Sequence, residues 1–387
     1  MIFHRLKSLA ENGNPVNVGL IACGTIGSQI VAQTCQMAGI RIAAIAEIDP
    51  EKAKNAYERG GILREQIVDA DGSGEIDRAM ADGRPAVTRD SAALVDSDVD
   101  LIVEATGNVE AAARHAKDAI AHRKHVVMVT VEGDVVYGNQ LKKLADEAGV
   151  LYSAAHGDEP SLAFQLWDWA RALGFRVVAA GKGTRFMTSF RKANPDDVPR
   201  LYGFTGKEYN AQMFGSFLDG TKHAIEMCAL SNMTGLVPDV RGMHFPAVDL
   251  REIPDKLCHR DKGGILESEG VVEAVSAAHE DDTPVERDLR GGLYAVVDGP
   301  VPALVESMKS YGEITGMITG EKSDYAMIYR PQHFIGLEMP LTIAHMILDG
   351  VVTGTPIGQF SEVVCAAKKP LKAGETLDGE GGYCVYG

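Results

Sequence analysis

The stretch Val18-Gly-Leu-Ile-Ala-Cys-Gly-Thr-Ile-Gly27 constrains the fold of this chain more than any other. Apolar residues lead into a tight turn at Ala22–Gly24, and a helix is expected to open at Gly27. Gly24 lets backbone approach a pyrophosphate, and Gly27 lets the helix pack closely on the strand. Ala22 stands where the glycine pattern has its first glycine, so the weight falls on context. A second apolar strand, residues 42–46, ends in Glu47, which is placed to accept hydrogen bonds from adenine-ribose hydroxyls. Strand, turn, helix and acid in that order make Ala22, Cys23, Gly24, Thr25, Ile26, Gly27 and Glu47 candidates for holding a dinucleotide. The plainer alternative is an ordinary strand–helix turn with a surface glutamate.

The first 150 residues continue to alternate. Asp49-Pro50 reads as a helix start, with Asp49 as cap and Pro50 at the first helical position. Strands at 99–104, 125–130 and 150–153 are separated by helical patterns, which implies a parallel, doubly wound sheet. Ligands of such sheets sit beyond the carboxyl ends of the strands. That rule adds Thr106, Gly107, Asn108, Thr130, Val131 and Glu132 to the candidates. The run Asp69–Asp77 imitates a calcium loop, but Met80 occupies the position of the bidentate glutamate, so it reads as a polar surface loop.

Composition narrows the partners. A chain of 387 residues with 45% hydrophobic and 24% charged content is globular and large enough for two or three domains. Its net charge of −16 argues against nucleic acid and anionic membranes. The six cysteines form no Cys-x-x-Cys pair, which suggests reduced thiols in a cytoplasm. No apolar run reaches membrane-spanning length, and the first residues lack the apolar core of a secretory signal.

After residue 153 the pattern changes. His156-Gly-Asp-Glu-Pro160 forms a turn that starts a helix ending before Gly174. A strand over 175–180 ends at Gly181-Lys-Gly-Thr-Arg185, leaving Lys182 on a loop that faces either a cleft or solvent. The next helix, about 212–230, is amphipathic. Phe214, Phe217, Leu218, Ile225 and Cys228 share one side, and Asp219, Lys222 and Glu226 the other. Gly220 inside it costs about 1 kcal/mol relative to alanine, which suggests that something approaches the helix there.

The order of the turn motif, His156–Pro160, Gly181–Thr184 and Asp219-Gly-Thr-Lys222 resembles the homoserine-dehydrogenase-like oxidoreductases. The stretches 179–184, 217–222, Arg260-Asp-Lys-Gly-Gly264 and His333-Phe-Ile-Gly-Leu-Glu338 are similar to the 1-deoxy-D-xylulose-5-phosphate reductoisomerase-like branch. Residues 363–378 resemble the opening of a SAF-type β-clip module. The resemblance implies an α/β fold in four parts. These are a Rossmann domain over 1–153, an α+β substrate and oligomerisation domain over 154–333, a helix returning to the first domain over 334–358, and a partial SAF-like segment over 359–387. It also implies a homodimer or homotetramer that uses NADP or NAD. Glu47 would repel a 2′-phosphate and so favours NAD, whereas the resemblance favours NADP.

Hydride transfer to a carbonyl leaves negative charge on oxygen, which a lysine ammonium can stabilise and protonate. On this reading Lys222 is the first candidate and Lys182 the second, with Asp219 orienting. A reductoisomerase also calls for a divalent ion, Mg or Mn, for which Asp158, Glu159 and Glu338 are candidate ligands. Lys182, Arg185, Asp158, Arg260, Lys262 and His333 are candidate substrate contacts, suited to a phosphorylated sugar or sugar acid. True homoserine dehydrogenases carry a lysine where Val131 stands, which counts against an amino-acid substrate. The alternatives are a homoserine or hydroxy-acid dehydrogenase, and a dinucleotide- or sugar-acid-binding protein without turnover.

Overall fold

The computed structural model describes residues 1–203 and 209–387. The chain divides into two compact units, Met1–Ser161 with Phe334–Pro356, and Leu162–His333 with Ile357–Gly387.

The first unit is built on seven strands: β1 (Val16–Ile21), β2 (Ile40–Ala46), β3 (Val68–Asp69), β4 (Ala86–Thr88), β5 (Leu101–Glu104), β6 (His125–Met128) and β7 (Tyr152–Ala154). All pair in parallel in the order β3-β4-β2-β1-β5-β6-β7. The order reverses between β1 and β5, and a doubly wound sheet binds ligands at that point. Helices α1 (Ile2–Glu11), α2 (Thr25–Thr34), α3 (Pro50–Arg59), α4 (Ser73–Ala81), α5 (Ser91–Asp96), α6 (Val109–Ala121) and α7 (Val131–Ala148) join them. The strands are almost wholly buried because both faces are covered. One core lies around Leu20, Ile45 and Val103, and includes Met339 and Ile343 from the returning segment. The other lies around Ile76, Ile102 and Ile120. Asp49 caps α3 as expected. The calcium-loop mimic is the end of β3 and the start of α4, with Asp69 paired to Lys54.

The second unit has a mixed sheet of β8 (Arg176–Thr184), β9 (Val237–Pro238), β10 (Val271–Ser276), β11 (Leu293–Asp298), β12 (Ile318–Thr319) and β13 (Ala326–Arg330). Its order is β12-β13-β11-β8-β10-β9, with β8 parallel to β10 and antiparallel to β11. Helices α8 (Glu159–Ala172), α9 (Val198–Tyr202), α10 (Ala211–Asp219) and α11 (Thr221–Thr234) follow in the chain. Leu162, Met227 and Leu230 belong to the core on one face, and Ile253, Leu257 and Leu266 to the core on the other.

Two expectations fail here. Lys182 is not on a loop, because β8 runs through Gly181-Lys-Gly-Thr184. An added Cβ at Gly181 would lie 1.8 Å from the Glu273 carbonyl oxygen, so glycine there permits close strand approach rather than a turn. The helix over 212–230 is two helices. Gly220, at φ +93°, ends α10 and begins α11, and an added Cβ would meet the Phe186 ring at 3.0 Å.

Residues 359–387 contribute one short pairing, β14 (Ala366–Ala367) with β15 (Val385–Tyr386). They are fastened by Lys368, whose buried ammonium meets three oxygens: Asp219 Oδ2 at 2.7 Å and the carbonyls of Ala193 and Gly382, each at 2.6 Å. Two hydrogen bonds to carbonyls and an ion pair to Asp219 compensate this buried charge.

Candidate functional site

In the first unit the carboxyl ends of β1, β2, β5 and β6 lie side by side, since Ile21 pairs with Ala46 and Glu104, and Glu104 with Met128. This brings the turn Ala22–Gly27, Glu47, the loop Thr106–Asn108 and the start of α7 to one edge. The helix opens at Thr25, two residues earlier than the glycine spacing suggested, with Gly24 as its N-cap. An added Cβ on Gly24 meets nothing within 4 Å, so the turn keeps an open approach to the amides of the α2 N-terminus. An added Cβ on Gly27 would lie 2.7 Å from the Ala22 carbonyl oxygen, which is the close helix–strand contact expected of it. Ala22 takes φ +70°, a conformation that costs a non-glycine residue about 1–2 kcal/mol. Burial pushes the Cys23 thiol up to about 11.

Glu47 reaches back to this turn. Its Oε2 accepts the Cys23 N–H at 2.7 Å, and its Oε1 accepts the Asp49 N–H at 3.3 Å. The acid therefore braces the turn as well as standing beside it.

Behind the second loop is a network that sequence reasoning missed. Glu104 is fully buried and accepts from Thr130 Oγ1 at 2.5 Å and from the Thr106 amide at 3.3 Å, with His115 Nδ1 at 3.3 Å. Thr130 Oγ1 in turn accepts the Gly107 N–H at 3.0 Å. Asn108 caps α6 through the Ala111 amide. Val131 and Glu132 form the first turn of α7, with Val131 buried. Further along, Tyr152 donates to buried Asp134 at 2.8 Å. Burial raises the Asp134 carboxyl to about 6, and the charge of Asp158 adds to the shift.

The second unit places Lys182 in the central strand with 1% of its side chain exposed, ion-paired with Glu226 of α11 at 2%. The ring of Phe217 lies 5.8 Å from its ammonium. Half-buried Lys222 lies one helical turn before Glu226 on α11, so by spacing it shares the helix face of the acid that pairs with Lys182. Thr184 Oγ1 lies 2.9 Å from Nε2 of His223, which is wholly buried. Burial pushes the Tyr202 phenol up, opposed by the positive charges of Arg185, Lys182 and Arg290. His333 Nδ1 contacts the Gly291 carbonyl, and Gly291 donates to Gly183, so Lys182, Arg185 and His333 share one end of the sheet.

Asp219 corrects the picture drawn from sequence. It is not on a rigid helix with Lys222. It closes α10, accepts the Thr221 N–H at 2.8 Å and pairs with Lys368. Burial raises its carboxyl, and Lys368 and Thr221 oppose that shift.

Residues 22–154 match the NAD binding domain of homoserine dehydrogenase, and residues 157–339 match the catalytic domain of oxidoreductase DRL. The chain belongs to the NAD(P)-dependent oxidoreductases. No curated protein matches it. Among solved structures it is similar to scyllo-inositol dehydrogenase from Lactobacillus casei, with TM-score 0.45 and 11% identity over 88% of this chain and 92% of that one. It is also similar to a homoserine dehydrogenase from Thiobacillus denitrificans, with TM-score 0.39 and 22% identity over 57% and 49%. KijD10, a 3-ketoreductase from Actinomadura kijaniata, gives TM-score 0.31 and 22% identity over 44% and 50%. The chain thus spans about half the length of the last two.

The remaining candidates in this oxidoreductase lie elsewhere or are engaged. Arg260 pairs with Glu267 at 2.9 Å. Lys262 donates to the Tyr325 hydroxyl at 2.7 Å, and Tyr325 donates to Glu269, the partner of Arg176 at the opposite end of β8. Arg185 pairs with Asp282 at 2.6 Å and keeps a quarter of its side chain exposed. Asp158 accepts the Glu159 N–H at 3.1 Å, and Glu338 packs against the Gly157 turn. Among the described residues, no three His, Cys, Asp or Glu side chains converge as metal ligands, so the divalent ion expected at Asp158, Glu159 and Glu338 has no support here. Among the same residues, no helix is long and apolar enough to cross a membrane.

Proposed function

We propose that this oxidoreductase transfers hydride between a nicotinamide dinucleotide and the carbonyl or carbinol carbon of a small hydroxylated anion, with phosphorylated sugars ahead of sugar acids. The observation that carries the reading is the buried Lys182–Glu226 pair, with Lys222 one turn before Glu226 on the same helix face. The open turn at Gly24 fits a pyrophosphate on the α2 N-terminus, and Glu47 stands beside it for the ribose hydroxyls. When bound, the dinucleotide gives or takes the hydride.

The chain's own groups manage the proton and the charge. Lys222, half-buried on the first turn of α11, stabilises the developing alkoxide and protonates it. Glu226 holds that ammonium in place, and Lys182 balances Glu226 from the strand behind. Arg185 attracts the substrate's acid group. A homoserine substrate is disfavoured, because buried Val131 occupies the position where the resemblance calls for lysine.

The test is oxidation of NADPH and NADH by the full chain against 1-deoxy-D-xylulose 5-phosphate, other phosphosugars, sugar acids and homoserine, followed by nicotinamide absorbance. Turnover on a phosphosugar is expected. In Lys222→Met it should fall about 100-fold or more, with dinucleotide affinity unchanged. Near-normal turnover in a folded Lys222→Met protein refutes the role of this face.

A further inference from the structure

The second unit holds a cavity of about 700 Å³ on a different side of α11, lined by Ala224, Met227 and Cys228, the β9–β10 edge and the segment 360–366. At 100° per residue, Ala224, Met227 and Cys228 lie opposite Lys222 and Glu226, so this is not the site proposed above. Two guanidinium groups line it, Arg191 and Arg241, against one acid, Glu362.

Arg191 is held between two rings, its guanidinium carbon 5.1 Å from the centre of Phe186 and 5.3 Å from that of Tyr386. Among the described residues, neither arginine has a carboxylate within the 4.0 Å of an ion pair. Glu280 feels the charge of Arg191, but its own oxygens are taken by Thr188. In a chain of net charge −16, two cations left without a carboxylate on one wall call for an anion.

The same wall is strained. Met243, in the lining, takes φ +63°, and Phe245, two residues on and behind it, takes +49°, values that bulky side chains rarely adopt. The buried Glu273 carboxylate holds the loop there by accepting the His244 and Phe245 amides at 3.0 and 3.2 Å. Strain of this kind persists where the surroundings over-determine it, and it gathers at ligand sites. Among the described residues Ser361 Oγ, an atom of another lining residue, is buried and finds no hydrogen-bond partner.

We propose that this cavity binds a small organic anion, with its acid group between Arg191 and Arg241 and its apolar body on Met227, Met243 and Phe360. The probe is phenyl phosphate, titrated calorimetrically into the full chain with NADH present so that the dinucleotide turn is not available to it. Inorganic phosphate and phenol serve as its two halves. Phenyl phosphate should saturate at one per chain and bind about tenfold more tightly than either half. Arg191→Met and Arg241→Met should each weaken it about tenfold, the loss of one charge-assisted contact, and leave NADH affinity unchanged. Should Arg191→Met loosen the ring stack, Arg241→Gln on an exposed side chain and Ala224→Trp, which fills the cavity, carry the test. Absence of saturable binding, affinity no better than that of inorganic phosphate, or unchanged affinity in Arg241→Gln and Ala224→Trp would each overturn the proposal.

Discussion

Lys182→Met is the most informative single change. It removes the ammonium opposite Glu226 and leaves a carboxylate whose side chain is 2% exposed between sheet and helix. Breaking a buried pair from one side costs about 3–5 kcal/mol, because the surviving charge keeps its desolvation penalty without its partner. For a unit of this size each kcal/mol lowers the midpoint by about 2–4 °C, so the transition should fall by about 6–20 °C. Replacing both partners, as in Lys182→Met/Glu226→Leu, removes the stranded charge and should recover most of the loss. Differential scanning calorimetry reads this directly. The transition of the first unit is the one raised by NADH, and it serves as the internal control. Single changes costing under about 1 kcal/mol, or single and double changes that simply add, would show that the two charges are not coupled. The cycle also protects the functional test. A loss of turnover in Lys182→Met that returns in the double variant comes from misfolding around Glu226, and one that stays lost comes from the chemistry.

Gly24→Val and Gly27→Val should separate binding from folding. The first places its Cβ in open space and should abolish dinucleotide binding with the melting point intact, whereas the second collides with the Ala22 carbonyl and should lower the melting point. Equal melting points for the two variants would contradict this division. Glu47→Gln keeps an acceptor for the Cys23 amide while removing the negative charge, so the ratio of NADP to NAD efficiency should rise; an unaltered ratio means that Glu47 does not read the ribose. Two groups give pH signatures of known sign. The Glu273 carboxylate raises the His244 pKa, so that contribution to stability is complete below pH 6.5 and is lost as pH climbs through the raised value. Asp134, raised to about 6 by burial, binds its proton more tightly folded than unfolded, so stability should decline from about pH 4 to about pH 6. Asp134→Asn should flatten that decline in urea titrations, and an unchanged slope would remove Asp134 from the account.

The strand–turn–helix at Ala22–Gly27 was legible because its requirements are local. A strand end, an open glycine and a helix start fall within ten residues, and the Gly27 contact with Ala22 follows from spacing alone. Gly181-Lys-Gly misled because glycines beside a charged residue usually mark a turn. Here they admit the backbones of β10 and the 289–292 segment on either side of a central strand, which no local pattern reveals. Gly220 drew attention for its cost inside a helix, and the structure shows why it is there, since its positive φ breaks the helix. The partners of Asp219 and Glu104 were beyond reach. Lys368, Thr130 and His115 arrive from distant segments, and a buried polar network leaves no periodicity in sequence.

The Lys368 fastening ties together events that lie far apart in the chain. Asp219 accepts from the first amide of α11 through one oxygen and receives the Lys368 ammonium on the other. Releasing the segment around Lys368 therefore strips a counter-ion from the carboxylate that holds the first amide of α11, and α11 carries both Lys222 and Glu226. The segment 366–386 and the first turn of α11 should open as one cooperative unit, and their amides should exchange with deuterium at a common rate. A protease that nicks the 369–382 stretch would then act on the proposed Lys222–Glu226 site without touching it, by letting a helix fray from its beginning.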